Sequence, residues 1–156
     1  MLFQNLINKT KGILTNQSLD FKDRLKSVCK LIRNNVTHYD WVGFYFVKDN
    51  LKELHLLAYD GIPTNHKIIP FGKGICGQVA LSNKTFVVPD VNEQENYISC
   101  DSKVKSEIVA PIILGGENIG QIDVDSNSVD PFDENDVLLL ETICKQVSEN
   151  IINKKL

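Results

Sequence analysis

The apolar positions change period twice along the chain. Near the start they fall at Leu2, Phe3, Leu6, Ile7, Ile13 and Leu14, a helical stripe. Residues 15–18 form a polar break. Asp20 then stands where an N-cap is needed for a second helix, with Phe21, Leu25, Val28, Cys29, Ile32 and Val36 on one face. Next the period drops to two. "WVGFYFV" (41–47) and "ELHLLAY" (53–59) read as the strands of a hairpin with its turn at 48–52. "GIPTNHKIIPFGKGICGQVALSNK" supplies a turn, a short strand and a glycine-rich bend that enters a helix near Gly74. "TFVVPDV" (85–91) reads as another strand, followed by a polar loop over 92–105. "EIVAPIIL" and "NIGQIDVDS" make a second hairpin around Gly115 and Gly116. The helical period returns over 133–153, with Val137, Leu140, Ile143, Cys144, Val147 and Ile151 inward.

No repeat or linker interrupts this order, which predicts one α+β domain spanning 1–156, its residues 1–18 a helical extension. Strands joined by short turns predict a central antiparallel sheet, with the terminal helices packed together on one face. Alternation along the strands then sorts the side chains. Trp41, Gly43 and Tyr45 share one face of the first strand; Val42, Phe44 and Phe46 take the other. Gln121, Asp123 and Asp125 share a face opposite Ile122 and Val124, and Glu107 shares one with Val109 and Pro111. Aspartate is disfavoured in strands, so two on one face mark it as something other than plain core. That face looks either into solvent or into a ligand pocket. Trp41 and Tyr45 favour the pocket, since a wet face would waste their apolar area. An aromatic wall with carboxylates is a receptor for a small cation.

The composition is that of an ordinary soluble domain, 42% hydrophobic and 24% charged. The net charge of −3 and the lack of a basic stripe argue against nucleic acid as a partner. No apolar run approaches a membrane span, and no signal-peptide pattern opens the chain. The four cysteines lack zinc-ligand spacing, and a chain of this length needs no disulfide framework, so no metal or cofactor is expected and the compartment is expected to be the cytoplasm. Cys29 and Cys144 belong to core stripes. Cys76 and Cys100 do not: the first sits at the turn into a helix, the second in the polar loop beside Asp101, Lys103 and Lys105. Lysines or a helix N-terminus lower a thiol pKa, and Asp101 opposes this.

Together "WVGFYF", "FGKGICGQVA", "VPDV", "CDSKVKSEIVAPI", "GQIDVDS" and "FDENDVLLLE" resemble the GAF domain, and more narrowly the free methionine-(R)-sulfoxide reductases. The resemblance runs from the second helix to the end. It implies that Cys100 is the nucleophile and that Glu107, Asp123 and Asp125 surround the substrate, with Trp41 and Tyr45 as the aromatic wall. Cys76 matches the cysteine of the family's Gly-x-Cys-Gly turn. The family usually carries a third cysteine ten positions upstream of that turn, where this chain has His66. The implied reaction is attack of the thiolate on the sulfoxide sulfur, with a proton from one of the three carboxyls. It yields methionine and a sulfenic acid, which a second thiol, Cys76 or an external one, converts to a disulfide. Free methionine sulfoxide and thioredoxin or another dithiol are the implied partners. Two alternatives stand beside it: a GAF module that senses a small ligand without chemistry, and a scaffold that forms a homodimer through its terminal helices. Phe132 and Asp136 match the spacing of a cyclic-nucleotide signature, but Val137 stands where that signature has Glu.

Overall fold

In the computed structural model, residues 2–48, 50–94 and 103–151 are described. The elements are α1 (Leu2–Leu14), α2 (Phe21–Asn35), β1 (Trp41–Lys48), β2 (Glu53–Asp60), β3 (Ile68–Pro70), α3 (Gly74–Ser82), β4 (Phe86–Val88), a 3-10 turn (Val91–Glu93), β5 (Ser106–Leu114), β6 (Glu117–Ser126) and α4 (Glu134–Glu149). Asp20 caps α2 by accepting from the Asp23 amide at 2.8 Å. Asp133 caps α4 in a capping box closed by Asp136. One expected element is shorter: the strand at 85–91 ends at Val88. Pro89 has no amide to donate to a ladder, and Asp90 instead caps the 3-10 turn through the Asn92 amide.

The six strands form one antiparallel sheet in the order β3-β2-β1-β6-β5-β4. Val42, Phe44, Phe46, Ile108, Ala110, Ile112, Ile122 and Val124 line its helix-bearing face and are buried with the stripes of α2 and α4. Cys29 and Cys144 lie in that core, as their helical spacing predicts. Helix α1 packs outside, on α2 and α4. Two polar staples hold it. Thr10 donates to Gln146 Oε1 at 2.8 Å, and Gln146 Nε2 donates to the Ile7 carbonyl at 3.1 Å. The buried Arg24 donates to the carbonyls of Leu19 and Leu14, which end the α1 segment and its turn.

The opposite face is also covered. Helix α3 lies over β5 and β6 and closes a second apolar cluster containing Trp41, Tyr45, Ile75, Cys76, Val79, Val88 and Val109. The face that carries the carboxylates is therefore interior, not solvated. No helix among the described residues is long and apolar enough to cross a membrane.

Candidate functional site

Strand register assembles the site in rows across the sheet. One row runs Val88, Glu107, Asp125, Trp41 over β4, β5, β6 and β1. The next runs Phe86, Val109, Asp123, Gly43, Tyr59. A third holds Pro111, Gln121 and Tyr45. Because β6 lies between β1 and β5, Asp123 and Asp125 stand between the aromatic wall and Glu107.

Two glycines allow the close approaches this needs. The Trp41 indole lies across Gly43, where an added Cβ would meet its Cη2 at 2.3 Å. The ring is held by its Nε1, which donates to the Ile62 carbonyl at 3.0 Å, and by stacking on Tyr59 at 5.8 Å. At Gly77 a Cβ would meet the Pro70 carbonyl oxygen at 2.7 Å, so glycine lets the first turn of α3 seat on the bend before it. The Gly72 amide closes that bend by donating to the Gly77 carbonyl at 2.8 Å. This seat turns Cys76 inward: its thiol donates to Glu107 Oε2 at 3.9 Å.

A small cavity of about 20 Å³ remains between α3 and the sheet. Its walls include Tyr45, His66, Lys73, Cys76, Glu107 and Asp123. That volume holds roughly one water-sized group. Tyr45 is fully buried and donates its hydroxyl to the His66 carbonyl at 2.7 Å. Glu107, Asp123 and Asp125 are 6%, 2% and 3% exposed, so three carboxyl groups are buried on one face. Burial pushes the Asp123 pKa up; hydrogen bonds with Glu107 and Cys76 and the charge of His66 pull it partly back. Burial likewise raises the Cys76 thiol well above its ordinary value, and the charges of Asp123, Glu107 and Asp125 add to this. Asp123 is thus disposed to hold a proton, and Cys76 to stay a thiol.

Of the residues singled out in the sequence, Tyr45, Cys76, Glu107 and Asp123 converge on the cavity, while Trp41 and Asp125 flank it in the neighbouring row. Cys100 lies outside the described residues. Lys73 and Gln121 had no assigned role. Gln121 is fully buried, and neither atom of its amide has a hydrogen-bond partner among the described residues. Its only sequence signal was its place two residues before Asp123. A larger groove of about 670 Å³ runs between α4 and the β4–β5 edge. It lies on the far side from the carboxylates, and the Cys144 thiol beneath it donates to the Ala110 carbonyl at 3.5 Å. The convergence of reactive groups, not the volume, marks the site.

Comparison with known proteins agrees with this geometry. The model of the GAF domain matches residues 20–151. GAF domain-containing protein A of Dictyostelium discoideum is 37% identical over 143 residues, 92% of this chain and 88% of that protein. Free methionine-R-sulfoxide reductase of Saccharomyces cerevisiae is 36% identical over 116 residues, 74% of this chain and 64% of that protein. The crystal structure of free methionine-R-sulfoxide reductase from Neisseria meningitidis in complex with its substrate superposes with a TM-score of 0.91 at 31% identity, covering 97% of this chain and 89% of that one. The chain belongs to the GAF domain family, and within it to the kin of the free methionine-R-sulfoxide reductases.

Proposed function

We propose that this protein is an enzyme that reduces free methionine-(R)-sulfoxide to methionine, with Cys100 as nucleophile. The observation that carries the reading is the burial of Glu107, Asp123 and Asp125 on one face beside Trp41 and Tyr45. A cavity large enough for one water-sized group, walled by carboxylates, suits an α-ammonium group. A methionine residue inside a peptide has none, which accounts for selectivity toward the free amino acid. The rest of the substrate enters as the walls rearrange. The N-terminus of α3, whose N-cap Lys73 makes no side-chain capping bond, lies beside the cavity and favours the α-carboxylate.

In the reaction the Cys100 thiolate attacks the sulfoxide sulfur, and a carboxyl proton passes to the oxygen as the substrate is reduced. Asp123, whose pKa is raised by burial, is suited to this step. The substrate S–O bond breaks, the oxygen passes as hydroxyl to the Cys100 sulfur to give a sulfenic acid, and methionine leaves. A second thiol condenses with it, releasing water and leaving a disulfide, which a dithiol such as thioredoxin reduces. Cys76 is a slow partner for that condensation, since a thiol buried among carboxylates ionises poorly.

The test is incubation of the protein with dithiothreitol and each epimer of free methionine sulfoxide, followed by chiral chromatography. Loss of the R epimer alone is expected. Loss of neither would favour a ligand-sensing module and sink the reading.

A further inference from the structure

The cavity gathers more donor atoms than an ammonium group uses. Cys76 Sγ and one oxygen each from Glu107 and Asp123 all lie within 4.8 Å of one another, and all three residues are buried. Asp123 Oδ1 has no hydrogen-bond partner among the described residues, although the residue is only 2% exposed and lines the cavity. A buried carboxylate oxygen left unpaired is costly, and several acids packed together call for protons or a cation between them. His66 lines the same cavity, close enough for its charge to act on Asp123. The space, about 20 Å³, admits one small ion.

The donor types select the ion. Magnesium and calcium take oxygen ligands and gain little from a thiol. Thiolate, carboxylate and imidazole together suit zinc, which is four-coordinate and tetrahedral in such sets. Bonds of roughly 2.0–2.3 Å would place the donor atoms about 3.3–3.5 Å apart. The thiol already stands 3.9 Å from Glu107 Oε2, and all three donors lie within 4.8 Å of one another, so the set must draw in by at most about 1.5 Å.

We infer that, when no amino acid occupies it, this cavity binds one thiophilic divalent cation such as zinc through Cys76, Glu107 and Asp123, with His66 or a water completing the set. Coordination replaces the S–H proton: thiol plus M²⁺ gives the metal thiolate and a released proton, with no change of oxidation state. The cation then takes the carboxylates an ammonium group would need. Zinc therefore competes with methionine sulfoxide, a consequence that rests on the proposed reaction, whereas the binding itself does not.

Cobalt(II) titration of the reduced, full-length protein tests this by absorption, without reference to turnover. The expected result is saturation at one equivalent, with a thiolate-to-cobalt charge-transfer band in the near ultraviolet that zinc abolishes. Cys76→Ser should remove the band. Asp123→Asn, which keeps the shape of the side chain, should weaken cobalt binding at least about tenfold and covers the case in which the cysteine variant fails to fold. No band at one equivalent, a band that survives Cys76→Ser, or unchanged affinity in Asp123→Asn would overturn the site. Turnover assays with zinc and a chelator are read separately. A cobalt band in a protein without reductase activity keeps the metal site and removes the reaction, and active protein without a band does the reverse.

Discussion

Replacing Gly43 by alanine adds one methyl group to a strand, and in most strand interiors that change stabilises by roughly 0.5–1 kcal/mol. Here the sign should reverse. The new Cβ would stand 2.3 Å from Trp41 Cη2 and 2.6 Å from Cζ3. Carbon atoms in good contact are roughly 3.5–4.0 Å apart, so the indole has to retreat by more than an ångström. It is not free to do so, being 5% exposed, hydrogen-bonded to the Ile62 carbonyl and stacked on Tyr59. Overpacking costs roughly 1–3 kcal/mol, the lost hydrogen bond about 0.5–1.5 and the lost stack about 0.5–1.5. After the ordinary gain is set against these, the net destabilisation is roughly 1–5 kcal/mol, centred near 3. Trp41 is the only tryptophan in the chain, so intrinsic fluorescence reports on this ring alone. Gly43→Ala should shift its emission to the red and lower the urea midpoint. In a Trp41→Ala background the same glycine substitution should cost nothing, because the atoms it strikes are gone. An unchanged emission spectrum and urea midpoint in Gly43→Ala, or an undiminished cost without the indole, would refute the packing argument.

Three further outcomes are expected. The folded pKa of Asp123 is raised, so its protonated form contributes stability that is complete below the ordinary value near 3.8 and is lost as pH rises through the folded pKa. Asp123→Asn removes that loss and should melt higher than the unmodified protein near about pH 8, the advantage fading toward about pH 4; calorimetry across pH checks this, and a constant difference would contradict it. Cys100→Ser should abolish reduction of methionine sulfoxide. Cys29→Ser and Cys144→Ser should keep the activity and lose roughly 1–3 kcal/mol of stability, since each puts a hydroxyl into the core, a pattern that paired kinetics and melts would read. With His66 in place of a third thiol and Cys76 slow to ionise, dithiothreitol should support turnover better than thioredoxin, and His66→Cys should speed the thioredoxin-linked reaction. Mass spectrometry after one equivalent of substrate decides this, and a rapid, complete Cys76–Cys100 disulfide in the unmodified protein would contradict it.

The local elements were legible in the sequence because each is set by spacing within a few residues. The alternation that sends Val42, Phe44 and Phe46 one way and Trp41 and Tyr45 the other follows from backbone geometry, and the two clusters divide along it. The cap at Asp20 is local as well. The shortened β4 departs from the pattern because apolar spacing ignores the missing amide of Pro89. What alternation left open was whether the face carrying Asp123 and Asp125 met solvent or a pocket. That depended on α3 folding over β5 and β6, a contact between segments distant in the chain. Strand order was equally invisible: only with β6 between β1 and β5 does Asp125 come between Trp41 and Glu107. The burial of Arg24, Gln121 and Asp136 was hidden for the same reason, since other segments of the chain cover them. Periodicity reports which way a side chain points. Whether it then meets water or another segment is decided by long-range packing, and on that the charge, the pKa and the chemistry of this site depend.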